Sequence, residues 1–151
     1  MSFVLSFAAP VGTELSVKEM VAWLAADDRV GEPAGRADSF EAVTLIGGEP
    51  WAAFLVEDVS DLDPEDLVID DGPDNLAISG VRLEMSYSTP EPIAHAVFEL
   101  AAAFADRFGL GVLDEQSDTA TPVGAHQLRV SWTEAQAMAR AAFEEHVRRD
   151  A

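Results

Sequence analysis

The residues best able to do chemistry in this sequence are carboxylates, and they are concentrated. Between Glu57 and Asp74 stand Glu57, Asp58, Asp61, Asp63, Glu65, Asp66, Asp70, Asp71 and Asp74, with no basic residue among them. Oxygen ligands at short regular spacing around a glycine turn are what a calcium loop needs. Asp61-x-Asp63 and Asp70-Asp71-Gly72-Pro73-Asp74 supply fragments of that pattern, but no twelve-residue loop closes on a glutamate, and two prolines interrupt the run. A second reading is an electronegative docking surface for a basic protein, since complementary potential steers encounter. A third is a plain solvated connection between two strands, the usual fate of a charge run. The docking surface so predicted comprises Asp61, Asp63, Glu65, Asp66, Asp70 and Asp71, with Trp51 as an aromatic anchor. Trp is the residue type most often found at interface centres, and one of Trp23, Trp51 and Trp132 is expected to serve that way.

Other chemistry finds little support. His95, His126 and His146 include no i, i+4 pair and no H-E-x-x-H, so the sequence calls for no zinc site. Cysteine is absent, which removes disulfides, thiolate ligands and thiol nucleophiles. There is no G-x-S-x-G elbow and no glycine-rich phosphate loop, and Gly109-Leu110-Gly111 follows a helical pattern where a phosphate cradle would precede one. Asp114-Glu115, just past a short strand, is the carboxylate pair best placed for acid–base work; a loop acid pair is the plainer reading. No cofactor is called for. A small enzyme or ligand-binding domain would have to assemble its site from dispersed Asp, Glu and His.

The elements that must position these residues follow from periodicity. Residues 3–7 read as a short buried strand closed by Pro10 and Gly12. Ser16-Val17-Lys18-Glu19 is a capping box opening a helix to about Asp28, with Val17, Met20, Val21 and Leu24 as its apolar stripe. Residues 29–38 read as loop. Strands 40–46 and 51–56 flank a Gly47-Gly48 hairpin, and 76–87 alternates cleanly apart from a bulge at Ser79-Gly80. Thr89-Pro90-Glu91 predicts an N-cap and helix start, with Ile93, Val97, Leu100, Phe104 and Phe108 inward and Gly109 as the left-handed stop. Residues 110–113 then give a strand–helix–strand unit, which implies parallel pairing. A short strand is predicted at 126–130, and Ser131-Trp132-Thr133-Glu134 is a second capping box before a C-terminal helix; Thr133 with Gln136 is an alternative register. That helix carries Trp132, Ala135, Met138, Ala139, Ala142, Phe143 and Val147 and ends in Arg148-Arg149.

The fold class so predicted is α+β, a single domain over residues 1–151: a mainly antiparallel sheet with helices on one face, in the order β-α-β-β-β-α-β-(β)-α. Its size is adequate for a core, at 151 residues of which 48% are apolar. With 28 acidic against 9 basic residues the net charge is −19, which disfavours phosphate backbones and anionic lipid. The N-terminal eleven residues lack a basic n-region and stop at Pro10-Val11-Gly12, so a signal peptide is not expected and the setting is read as cytoplasmic. One Lys beside eight Arg fits a GC-rich, bacterial source, and a saline cytoplasm would also favour such acidity.

In being small and acidic and in lacking a catalytic signature, the chain resembles bacterial immunity proteins, a likeness of composition that covers no motif. Its helix–three strands–helix–strand–helix order is similar to secretion-chaperone-like domains, from which the leading strand at 3–7 departs. Both likenesses imply a non-catalytic module that neutralises or escorts a basic protein partner, and the second also implies a homodimer.

Overall fold

The computed structural model describes residues 2–36, 39–46, 48–69, 76–116 and 122–150. The sheet has six antiparallel-paired strands: β1 (Ser2–Pro10), β2 (Ala34–Arg36), β3 (Ser39–Ile46), β4 (Glu49–Glu57), β5 (Leu76–Ser86) and β6 (Gly111–Asp114), in spatial order β2-β3-β4-β5-β1-β6. Helices α1 (Val17–Ala25), α2 (Pro64–Leu67), α3 (Glu91–Phe108) and α4 (Ala125–Asp150) complete the α+β domain.

Alternation decides which face of the sheet is covered. Phe3, Leu5 and Phe7 of β1, Ala52, Phe54 and Val56 of β4, and Val81, Leu83 and Met85 of β5 all turn to one side and are buried. Helices α1, α3 and the start of α4 lie there. Phe104 meets Phe7 at 5.2 Å and Trp23 at 5.8 Å between ring centroids, and Phe3 meets Trp132 edge-on at 5.4 Å. Among the described residues the other side of the sheet stays open, with Val4, Val43, Ala53 and Leu55 partly exposed.

Helix starts follow local chemistry in part. At α1 the Ser16 hydroxyl accepts from Glu19 N at 3.2 Å, as the capping box predicts. At α3 the expected cap is displaced: Pro90 occupies the N-cap position and Thr89 is buried in the turn before it, its N–H donating to Ser86 O at 3.1 Å. Gly109 ends α3 at φ 67°, the predicted left-handed stop.

Three expectations are corrected. The segment read as loop at 29–38 contains β2, and before it Gly31 N donates to Val43 O at 2.8 Å, extending the sheet past β3. Strands β5 and β6 do run parallel, but β1 lies between them and pairs antiparallel with both, so the crossover spans an intervening strand. The strand predicted at 126–130 is the start of α4, and Ser131 lies inside that helix. Leu128 and Trp132, one turn apart, are both fully buried, so helical spacing on the covered face wins over local β propensity. Thr133 donates its hydroxyl to Arg129 O one turn back at 2.9 Å, as hydroxyls do within helices.

The bulge expected at Ser79-Gly80 is present. The β1–β5 register moves from Ser6↔Arg82 to Ala8↔Ile78, and the Ser79 hydroxyl turns inward to donate to Phe7 O.

Candidate functional site

The acidic run begins where β4 ends. Glu57 closes that strand, and Asp58 to Ile69 loop below the sheet through α2 before Ile69 N returns to pair with Leu76 O at 3.0 Å. Short-range turn chemistry fixes this path. Asp58 accepts from Ser60 N at 2.9 Å, and Asp63 caps α2 by accepting from Glu65 N at 3.1 Å. The Ser60 hydroxyl and N–H hold the Asp58 carboxyl below its usual range. Among the described residues no cation pairs with Asp58, Asp61, Asp63, Glu65 or Asp66, and all five are exposed. Asp70, Asp71 and Asp74 lie outside the described residues.

Of the five exposed acids only Asp58 lines the adjoining apolar surface; Asp61, Asp63, Glu65 and Asp66 stand on the same loop outside that lining. A hollow of about 560 Å³ opens between the Val11–Leu15 loop and the Asp58–Leu62 loop, with Leu62 and Ile78 in its wall. Val11, Leu62 and Ile78 are 46%, 53% and 50% exposed, which makes this a wet apolar lining, open to a partner. Glu57 and Ile78 also line a second hollow of about 400 Å³ on the open sheet face, where Leu55, Ile69 and Leu113 form the floor. Arg82 and Glu115 supply its polar groups; Arg82 meets Glu84 at 3.4 Å, and Glu115 accepts from the Ser6 hydroxyl. The two hollows share Glu57 and Ile78 and together make a mainly acidic cleft with apolar walls. Glu14, Glu57, Asp58 and Glu115 line it with Arg82 as its cation, and the loop carrying Asp61, Asp63, Glu65 and Asp66 stands beside it.

Trp51 is not part of it. It stands at the opposite end of β4, six residues or roughly 20 Å from Glu57, and its indole N–H donates to Ile46 O at 3.1 Å. It lines a shallow hollow with Glu41 and Glu84. The other two tryptophans serve the core, Trp132 fully buried and Trp23 half-buried against Phe104 and Phe108.

Asp114 and Glu115 separate. Glu115 faces the open sheet side, while Asp114 is buried and accepts from Gln116 N at 3.0 Å and from the Ser131 hydroxyl. The pair therefore shares no reacting position. His95 sits 3.6 Å from Glu91 on α3, whereas His126 and His146 lie at the two ends of α4. Among the described residues no cluster of three His, Asp or Glu could hold a metal ion, and no helix is long and apolar enough to cross a membrane.

The apolar lining was the feature that sequence reasoning passed over. Its signal was present in Leu62, an apolar residue flanked by Asp61 and Asp63, and in Val11, exposed at a turn. No family model, curated protein or solved structure matches the chain.

Proposed function

We propose that this chain is a non-catalytic binding module of the cytoplasm whose acidic cleft captures a basic protein and neutralises or escorts it. One observation carries the reading: exposed Leu62, Ile78 and Val11 share a hollow with Glu14, Glu57 and Asp58, beside the loop that bears Asp61, Asp63, Glu65 and Asp66, and among the described residues no cation pairs with these acids. An apolar centre with a charged rim is the anatomy of a protein interface. The charge selects the partner, because a surface of this sign attracts cations over distances set by ionic strength and repels phosphate and anionic lipid. A chain at −19 has the long-range field for fast capture.

The test uses a labelled amphipathic Lys/Leu peptide of about 20 residues, long enough to lay one helical face into a groove. Its affinity is read by fluorescence anisotropy for the intact chain, for Asp61→Asn/Asp63→Asn/Glu65→Gln/Asp66→Asn, and for Leu62→Ser. An equal neutralisation elsewhere, Asp28→Asn/Glu32→Gln/Glu41→Gln/Glu49→Gln, is the control. Both cleft variants are expected to weaken binding by about tenfold or more, and the control by much less. Equal losses in the cleft and control variants would show attraction to net charge alone and remove the site.

A further inference from the structure

Helix α4 begins inside the domain and ends outside it. Its first turns bury Leu128 and Trp132, and Gln136 ties it to the body by donating to Tyr87 O at 3.1 Å. From Arg140 to Arg149 every residue is exposed. The apolar pattern nevertheless continues. At 100° per residue, Ala139, Ala142 and Phe143 fall on the same face as Leu128 and Trp132, and Met138 and Val147 flank them. Met138 is 74% and Phe143 68% exposed, more than any other large apolar side chain among the described residues. A bare helix of this length is marginal in water, and an apolar stripe on it gains stability only when covered.

We propose that the cover is the same segment of a second copy, packed antiparallel about Ala142 to form a homodimer. Charge argues for this occupant. Residues 134–150 hold four acids (Glu134, Glu144, Glu145, Asp150) and three arginines (Arg140, Arg148, Arg149), a net −1, leaving −18 for the rest of the chain. Two copies therefore repel least where these segments meet. The order of charges then sets the direction. Glu134 and Arg149 lie to one side of the stripe, at opposite ends of the projecting part, while Arg148 lies on the far side of the helix; within the chain Arg149 meets Glu145 one turn back at 2.7 Å. Antiparallel packing about Ala142 brings Glu134 of each copy beside Arg149 of the other, which then bridges Glu145 of its own chain and Glu134 of its partner's, and opposes the helix dipoles. A parallel arrangement would stack arginines on arginines. The antiparallel pair is twofold and closed, so it stops at two copies.

The inference is independent of the acidic cleft, which uses none of these residues. Sedimentation velocity and light scattering of the full chain are expected to give a dimer at micromolar to tens of micromolar concentration, within the range ordinary for such interfaces. Met138→Ser/Phe143→Ser should give a monomer with an unchanged near-ultraviolet tryptophan signal, since both positions lie outside the core. Glu134→Arg should weaken the dimer by about tenfold, and adding Arg149→Glu should restore it. A chain that stays monomeric at the highest concentration, or a serine variant of unchanged mass, overturns the interface. Weakening by Glu134→Arg without restoration overturns the antiparallel packing.

Discussion

The Ser131 hydroxyl, inside helix α4, donates to the buried carboxylate of Asp114 at the end of β6. That bond ties the last strand to the last helix across a connection of ten residues, and it turns a residue with cap-like sequence context into a tertiary clamp. Removing one donor from a buried carboxylate leaves it undersolvated. Ser131→Ala is expected to lower stability by about 1–3 kcal/mol in urea unfolding, with most of the loss recovered by Asp114→Asn in the same chain.

Tyr87, the one tyrosine of the chain, packs against Trp132 with ring centroids 5.9 Å apart. Burial, and secondarily the charge of Asp114, raise its phenol above the ordinary value of 10.0. Ultraviolet titration should show a single phenolate transition above that value. Asp114→Asn should move it down by the smaller part of the shift, because burial remains. The neutral phenol is favoured in the folded state, so this contribution is intact below pH 10 and is lost as pH rises through the folded value.

Asp27 holds Arg29 through two oxygens, at 3.0 Å to Nε and 3.0 Å to Nη2. The guanidinium keeps the Asp27 carboxyl below 3.8. A lowered carboxyl stabilises the fold above its unfolded value, and the gain disappears as pH falls through the folded one. The stability difference between the parent chain and Asp27→Asn should be largest at neutral pH and shrink as pH falls through the lowered Asp27 value, where the carboxyl becomes neutral. A difference that does not change with pH would show the pair to be packing alone.

Gly80 sits at φ 85° in the β5 bulge, where an added Cβ would lie 2.2 Å from Glu57 O. Both the backbone conformation and the contact forbid a side chain. Gly80→Ala should cost at least about 2 kcal/mol in thermal or chemical unfolding. Because the clash falls on the residue that opens the acidic connection, it should also weaken capture of the Lys/Leu peptide in protein that remains folded.

Within the cleft, charge and apolar surface should divide the kinetics. Neutralising Asp61, Asp63, Glu65 and Asp66 is expected to slow association at low salt and flatten its salt dependence, with dissociation little changed. Leu62→Ser should act the other way, speeding dissociation at all salt concentrations. Stopped-flow mixing with the labelled peptide separates the two.

The sheet and helices were legible where local pattern and tertiary demand agree: the alternation from Val81 to Met85, the spacing from Ile93 to Phe108, and the Gly109 stop. They misled where a distant partner decides. Ser131 satisfies its hydroxyl on Asp114, seventeen residues away, so its cap signature was local coincidence. The strand–helix–strand unit left no sign that β1 enters between its strands, because pairing partners far apart in sequence leave no periodic trace in either. For the cleft, the acids were visible as a run. The apolar lining was not, since Val11, Leu62 and Ile78 come from three separate segments and meet only when the sheet closes.

The insertion of β1 between β5 and β6 has a bearing on how the protein is made. Phe3, Leu5 and Phe7 are synthesised well before both of their neighbours in the sheet: β5 starts at Leu76 and β6 ends at Asp114. Until β5 is made, this apolar strand has no native hydrogen-bonding partner. Its docking closes loops of some seventy to a hundred residues, a route that is slow and open to mispairing. The nascent chain thus carries an apolar strand that waits uncovered for distant partners, so a holdase that shields this strand during synthesis should raise the yield of folded protein.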